Sequence, residues 1–291
     1  MTASRTWTVR ELLQWTTGWL AGYGVEAPRL DGELLLAEAL NIRRIDLFLD
    51  PERPVIPSER AAFKILIKRR AAREPLAYIL GHREFWSLDL LVTPGVLIPR
   101  PESECLVESV LERFPDRQTP LDILDIGVGS GAILFSLLTE YPLAKGVGID
   151  SATAPLACAR HNAERLALAN RVRLLAGDLY APLMAEERFQ VIVANPPYIG
   201  AAEWAGLQPE VRDWEPGEAL LAGTDGLAIH QRLIPASRRF LKPGGLLAVE
   251  IGIQQGEAVA QEMLRSGLEQ VTILPDYSHR PRVVRGSAPG L

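Results

Sequence analysis

From Leu121 to Leu274 the chain alternates short apolar segments with segments whose apolar residues recur at helical spacing. The apolar segments are Leu121–Ile126, Gly146–Ile149, Val172–Leu175, Val191–Ala194, Leu246–Ile251 and Val271–Leu274. The helical patterns between them are Ala132–Leu138, Pro155–Leu168, Leu227–Phe240 and Glu257–Arg265. Alternation of this kind predicts an α/β fold, with a mostly parallel sheet covered by helices on both faces.

The first part of the chain has a different pattern. Thr8 and Glu11 form a capping-box signature, and Pro28 and Pro57 stand where the first turns of further helices would begin. Residues 1–84 are therefore predicted to be a small helical domain. Residues 85–100 are predicted to be a β-hairpin linker with a turn signal at Thr93–Gly95, and residues 101–291 to be the α/β domain.

Charge and cysteine content limit the classes of function. Residues 1–85 hold 13 Lys and Arg against 11 Asp and Glu, whereas the remainder holds 18 against 25, and the net charge is −5. An acidic second part argues against a protein that works mainly by gripping nucleic-acid backbone. The two cysteines and four histidines show no metal-ligand spacing, so no metal site is expected.

The expected location is the cytoplasm. No apolar run approaches the ~20 residues needed to cross a bilayer, so no membrane association is expected. The N-terminal sequence lacks the apolar core of a secretory signal. The two cysteines show no paired spacing, which is typical of the reduced thiols of a cytosolic protein. We expect a monomer.

A glycine-rich turn follows the first apolar strand and leads directly into a helix. Glycines at such a turn let the backbone approach a ligand at the edge of an open sheet. The turn fits two patterns: G-x-G-x-x-A is a dinucleotide fingerprint, and D-x-G-x-G-x-G resembles the first motif of class I S-adenosylmethionine-dependent methyltransferases. The candidate cofactor-binding residues of the turn are Asp125, Gly127, Val128, Gly129, Ser130 and Gly131.

The next two strands end in acidic residues. Asp150 stands where an acid hydrogen-bonds ribose hydroxyls, which suits either cofactor, although an Asp there could instead cap the following helix. Asp178 and Leu179 end the third strand, and in a methyltransferase this turn would lie beside the adenine ring, although it could instead be an ordinary turn.

The fourth strand delivers Asn195-Pro196-Pro197-Tyr198 to the same sheet edge. Proline removes an N–H donor, so this turn is rich in carbonyl acceptors, and the Asn195 side chain adds an acceptor oxygen. A planar –NH₂ group has two donors, which fit Asn195 Oδ1 and the Pro196 carbonyl, while Tyr198 could stack on its flat face. Asn195, Pro196 and Tyr198 are thus the predicted catalytic residues, and Pro197 joins them as substrate-binding.

This tetrapeptide resembles the motif of enzymes that methylate exocyclic amines or amides, including adenine-N6 and protein-glutamine N5-methyltransferases. Other segments are similar to the PrmC/HemK family, which methylates the glutamine of the Gly-Gly-Gln motif in peptide-chain release factors. These segments are Arg73–Phe85, Val96–Glu104, Glu215–Leu227 and Lys242–Glu250.

The resemblance implies a class I methyltransferase domain with a Rossmann-like sheet, S-adenosylmethionine as cofactor, and release factors as protein substrates. It also implies an S-adenosylmethionine site at the glycine turn, Asp150 and Asp178-Leu179, with Asn195 contacting both cofactor and substrate. Val128 and Leu179 depart from the family pattern, which often has threonine and an aromatic residue there. Two alternatives remain: an adenine-N6 nucleic-acid methyltransferase, and a non-catalytic module that binds a translation factor.

Overall fold

The computed structural model describes residues 6–290, which form two compact units. The first comprises the described residues up to Gly81 together with Gln208–Trp214. The second comprises His82–Leu207 and the described residues from Glu215 onward. No helix within residues 6–290 is long and apolar enough to cross a membrane.

The first unit is a small helical bundle. Its helices are α1 (Val9–Gly22), α2 (Pro28–Leu40), α3 (Asp46–Leu49), α4 (Pro57–Ala71) and α5 (Leu76–Leu80), and β1 (Trp7–Thr8) pairs with β2 (Pro54–Val55). The predicted capping box is confirmed, since the Glu11 N–H donates to Thr8 Oγ1 at 3.3 Å and the Thr8 N–H to Glu11 Oε2 at 3.1 Å. Leu35, Leu36 and Phe63 lie in its buried core.

The segment Gln208–Trp214, which contains helix α9 (Pro209–Arg212), belongs to this unit although it is distant in sequence. Glu210 forms ion pairs with Arg73 and with Arg70, and the Nη1 atom of Arg70 lies 2.8 Å from Glu210 Oε1. Arg70 Nε also donates to Asp31 at 2.6 Å. A buried group of charges therefore ties the segment to the helices.

The second unit contains the predicted α/β fold, with a sheet of seven strands in the order β10-β11-β9-β8-β5-β6-β7. Strands β5 to β9 run parallel, whereas β11 is antiparallel to β9 and β10 to β11. The strands are β5 (Asp122–Ile126), β6 (Lys145–Asp150), β7 (Val172–Ala176), β8 (Phe189–Ala194), β9 (Leu241–Glu250), β10 (Glu269–Pro275) and β11 (Pro281–Ser287). Its helices are α6 (Glu104–Arg113), α7 (Ala132–Glu140), α8 (Thr153–Arg165), α10 (His230–Phe240) and α11 (Gly256–Arg265).

The strand order indicates at which edge of the sheet a ligand would bind. Strand β5 has β6 on one side and β8 on the other, so the chain reverses its direction of travel across the sheet at this point. Ligands of open α/β sheets bind outside the carboxyl ends of the strands at such a reversal. The glycine turn after β5 and the Asn195 turn after β8 both lie there.

The predicted hairpin occurs at residues 82–91 and not at 85–100, and the predicted turn at Thr93–Gly95, where the Val96 N–H donates to the Thr93 carbonyl at 3.1 Å, lies beyond it. Strands β3 (His82–Phe85) and β4 (Leu88–Leu91) are joined by Trp86 and Ser87, whose φ angles are +51° and +59°. Such turns favour glycine and asparagine, so the sequence carries no local signal for this one. Bonds from the Trp86 N–H to Glu104 (2.9 Å) and from its indole to Glu140 (2.8 Å) hold the turn in place.

Candidate active site

The glycine turn is shaped by backbone hydrogen bonds and by space. The N–H groups of Gly127 and Val128 donate to the carbonyl of Ile149 on the neighbouring strand, at 2.8 and 2.9 Å. Gly127, Gly129 and Gly131 all have positive φ, a region that favours glycine. At Gly131 a Cβ would lie 2.0 Å from a ring carbon of Phe135, so this glycine is required by packing as well.

Asp150 is bound to this turn. Its Oδ2 accepts from the Gly129 N–H and its Oδ1 from the Ala152 N–H, both at 3.0 Å. Helix α8 has no side-chain cap, so the alternative of Asp150 as its N-cap is wrong. Burial raises the pKa of Asp150, while the backbone N–H groups act in the opposite direction. A carboxylate has about four acceptor positions, so Asp150 keeps at least one for a ligand hydroxyl.

Most of the predicted site residues line one cavity in the second unit. Its lining includes the following predicted residues: Gly127, Val128, Gly129, Ser130, Asp150, Asp178, Leu179, Asn195, Pro196 and Pro197. Asp125, Gly131 and Tyr198 do not border this cavity. Residues such as Pro99, Arg100 and Glu218 complete the wall.

Asp125 lies beneath the glycine turn. It is 1% exposed, and burial raises the pKa of its carboxyl well above the usual range, with the charge of Asp150 adding to the effect. Its predicted contact with a cofactor stays a prediction. The structure places Asp125 under the residues that line the cavity rather than among them.

The turn after β7 forms the opposite wall. Leu179 has a φ of +50°, an uncommon conformation for a branched side chain, and packs on the core of the second unit. Asp178 pairs with Arg232 at the surface. With Ile149 and Pro155, Leu179 contributes to the apolar part of the lining, which suits an adenine ring.

The Asn195–Tyr198 turn is held by side chains from two other segments. Asn195 Nδ2 donates to Ser103 Oγ at 3.0 Å, and Ser103 Oγ donates to Glu250 Oε2 at 2.6 Å. The Tyr198 hydroxyl donates to Glu250 Oε1 at 3.2 Å. Burial raises the pKa of Tyr198, so the phenol stays protonated.

Sequence reasoning gave no role to Ser103 or Glu250, although both lie in segments that carry the family resemblance. A carboxylate at the end of the apolar run Leu246–Glu250 was the available signal, since charged residues are rarely buried without a partner.

Glu215 was also missed. Its buried carboxylate pairs with Arg100 and accepts from the Ile98 N–H at 3.2 Å, which fixes the proline-rich segment 98–102 against the segment that begins at Glu215. Arg100 therefore both lines the cavity and forms a salt bridge.

The residues present fit S-adenosylmethionine. The Asp150 carboxylate offers acceptors for ribose hydroxyls, and Leu179 and Ile149 offer an apolar wall for the adenine. The absence of Cβ atoms at Gly127 and Gly129 leaves the backbone open to close approach. No group of three or more His, Cys, Asp or Glu that could hold a metal occurs among residues 6–290.

Comparison with known proteins identifies the two parts of the chain. Residues 11–81 match the PrmC N-terminal domain, and residues 103–205 match the methyltransferase small domain. Among solved structures, a 16S rRNA methyltransferase from T. thermophilus is 20% identical with a TM-score of 0.53, covering 71% of this chain and 49% of that chain. A methyltransferase from Pyrococcus furiosus is 19% identical with a TM-score of 0.52, covering 80% and 99%. These likenesses show the class I methyltransferase fold.

Curated relatives match over nearly the whole length. The release factor glutamine methyltransferase of Geobacter sulfurreducens is 46% identical, covering 96% of both chains. That of Moorella thermoacetica is 45% identical, covering 94% of this chain and 96% of its own. The predicted family is confirmed: this chain belongs to the release factor glutamine methyltransferases.

Proposed function

We propose that this protein transfers the methyl group of S-adenosylmethionine to the side-chain amide nitrogen of the glutamine in the Gly-Gly-Gln motif of peptide-chain release factors. The observation that carries the proposal is the Asn195-Pro196 turn, which borders the same cavity as the glycine turn and Asp150. A turn of acceptors borders this cavity at the switch point of the sheet, where α/β enzymes bind their ligands.

The roles of the residues follow from hydrogen-bond chemistry. Asn195 Oδ1 and the Pro196 carbonyl accept the two amide hydrogens, while Pro197 lines the cavity beside them and Tyr198 holds the turn through its hydroxyl bond to Glu250. S-Adenosylmethionine supplies an electrophilic methyl on a sulfonium. As positive charge develops on the attacking amide nitrogen, these acceptors bind its hydrogens more strongly, which stabilises the transition state more than the ground state. One of these hydrogens then leaves as a proton to water. Positioning adds to this, because a well-oriented pair of reactants can save ~7–11 kcal/mol.

The first unit is proposed to bind the body of the release factor. It carries several large exposed apolar side chains, and such residues mark a protein-docking site where they form a contiguous patch. They include Trp15, Tyr23, Ile45, Phe48 and Leu49. We divide the chain into a substrate-recognition domain (1–84), a hairpin linker (85–100) and a catalytic domain (101–291). The protein is proposed to act as a monomer in the cytoplasm, where release factors function.

The test is a methylation assay on a purified release factor. Incubation with S-adenosylmethionine is expected to add one methyl group, located by mass spectrometry on the Gly-Gly-Gln peptide. The release factor with this glutamine changed to glutamate is the control and should gain none. If the first unit binds the body of the release factor, the intact substrate will also show a lower KM than the isolated peptide. Methylation of DNA but not of the release factor would favour the adenine-N6 alternative. Tight binding without turnover would favour a non-catalytic module.

A further inference from the structure

Glu250 is a buried carboxylate whose two oxygens contact different residues of the candidate site. It lies at the end of β9 and is 1% exposed. Its Oε2 accepts from Ser103 and its Oε1 from Tyr198. Glu250 also forms a long ion pair with Arg282, whose Nη1 lies 4.0 Å from Oε1.

The hydroxyl of Ser103 fixes the direction of this chain of bonds. A serine hydroxyl has a single proton and two lone pairs. Because Ser103 donates that proton to Glu250, it can only accept from Asn195. The Asn195 amide must therefore turn its –NH₂ toward Ser103, which points its Oδ1 away from Ser103. A carboxylate has no proton to give. When Glu250 is ionised, it therefore sets the orientation of the Asn195 amide through two hydrogen bonds, from Ser103 to Glu250 and from Asn195 to Ser103.

Resting on the proposed function, we propose that Ser103 and Glu250 act as positioning residues that select an amide over a carboxylate as substrate. With Oδ1 presented, Asn195 accepts from a glutamine –NH₂. With the amide reversed, it would present donors and would favour a glutamate carboxylate instead. The selectivity of Asn195 thus depends on Ser103, which lines the same cavity, and on Glu250, which does not border it.

A purely structural role for Glu250 explains the arrangement less well. Burying a carboxylate is costly, and replacing buried charges by apolar residues of similar volume is often neutral or stabilising. The strand that carries Glu250 is otherwise apolar at its end, with Leu247, Ala248 and Val249 fully buried. An apolar residue would continue that pattern, whereas only an acceptor can set the direction of the Ser103 proton.

The experiment measures discrimination at equilibrium, without turnover. Release factor and its Gln→Glu form are titrated against the wild type, Ser103→Ala, Ser103→Thr and Glu250→Gln. We expect the ratio of the two Kd values to fall about tenfold or more in Ser103→Ala and Glu250→Gln, since each removes the fixed proton direction. Ser103→Thr keeps the hydroxyl and should recover most of the ratio.

Ser109→Ala is the matched control. Ser109 is a buried serine of α6 whose hydroxyl donates to the Leu106 carbonyl at 2.7 Å, away from the site. This variant loses a buried hydroxyl and nothing else, so the ratio of its Kd values for the two release factor forms should equal that of the wild type. A ratio in Ser103→Ala that matches the Ser109→Ala ratio would overturn the proposal.

A second readout separates this proposal from the proposed function. The side-chain ¹⁵N–¹H₂ resonances of Asn195, identified by their loss in Asn195→Asp, are expected to shift in Ser103→Ala and Glu250→Gln but not in Ser109→Ala. If the wild type does not distinguish the two release factor forms, the proposed substrate is wrong, and shifted resonances still support the orienting pair. Unshifted resonances would overturn it.

Discussion

The two halves of the active site are built in different ways. The cofactor half consists of the glycine turn and Asp150, which are held by backbone N–H groups within Gly127–Ala152. The amide half consists of side chains at positions 103, 195, 198 and 250, which are held by one another. The first half is fixed by local backbone conformation, whereas the second depends on a long-range polar network whose members Ser103 and Glu250 are buried.

This difference predicts that the halves can be damaged separately. Changes in the glycine turn should act on stability and cofactor affinity, because backbone geometry determines both. Changes in the Asn195 network should act on turnover and substrate choice, because they leave the cofactor wall intact.

The largest separation is expected for Asn195→Ala. Removing one preorganised partner of a developing charge typically lowers kcat by about 10²–10³-fold. The Kd for S-adenosylmethionine, measured by calorimetry, should change far less, because Asp150 and Leu179 remain. The exposed Asn170→Ala is the control. Full activity in Asn195→Ala would contradict the catalytic role of Asn195. A loss of cofactor affinity as large as the loss of kcat would contradict the independence of the two halves of the site.

Gly131→Ala should cost folding stability. The new methyl group meets the Phe135 ring at 2.0 Å and the φ of +88° suits glycine. Together these effects amount to about 2–5 kcal/mol in the free energy of unfolding, measured with denaturant. Gly267→Ala separates the two causes, since that glycine has a φ of +76° but nothing within 4 Å of the added atom. Equal losses in the two variants would show that packing on Phe135 contributes nothing.

Asp150→Ala should weaken cofactor binding. Loss of hydrogen bonds from ligand hydroxyls to a charged acceptor costs about 1.5–3 kcal/mol, or roughly 10–150-fold in Kd. At saturating cofactor, kcat should be largely retained. A variant with unchanged affinity but a reduced kcat would assign Asp150 to the amide half instead.

The smallest effect is a dependence on pH. Burial raises the pKa of both Glu250 and Asp150, so each loses its charge at a higher pH than an exposed carboxyl. As pH falls through the Glu250 value, this carboxyl gains a proton, the Ser103 bond can reverse, and kcat at saturating cofactor should fall by up to about tenfold per pH unit. The groups around Glu250 are Glu102, Cys105, Tyr198, His230 and Arg282.

The same acidification should raise the Kd for S-adenosylmethionine through Asp150. In Glu250→Gln the decrease of kcat at low pH should disappear, while the increase of the Kd for S-adenosylmethionine at low pH should persist. A decrease of kcat at low pH that survives in Glu250→Gln would assign it to another group.

The cofactor half was predictable because its signals are local. A glycine turn between a strand and a helix, and an acid at the end of the next strand, are properties of short segments. The parallel part of the sheet was predicted for the same reason. Strand β11 and helix α6 were not, since Pro281–Ser287 has no regular alternation and Glu104–Arg113 follows a proline-rich stretch.

The amide half was only partly predictable. Asn195 and its prolines carry their chemistry in the sequence, but the Ser103–Glu250 bond joins residues 147 positions apart. The Trp86–Ser87 turn and the attachment of Glu210 to Arg70 depend likewise on distant partners. Tertiary contacts of this kind override or replace local propensity, so a single sequence carries no signal for them.

The central claim is that the methyl group is delivered to a glutamine amide nitrogen held at Asn195. It is tested most directly by transferring a labelled methyl group to a release factor and then hydrolysing the isolated Gly-Gly-Gln peptide in acid. An N-methylated side-chain amide releases its label as methylamine, and this is the predicted product. Label that stays with the amino acids, or that is absent from this peptide, would contradict the account.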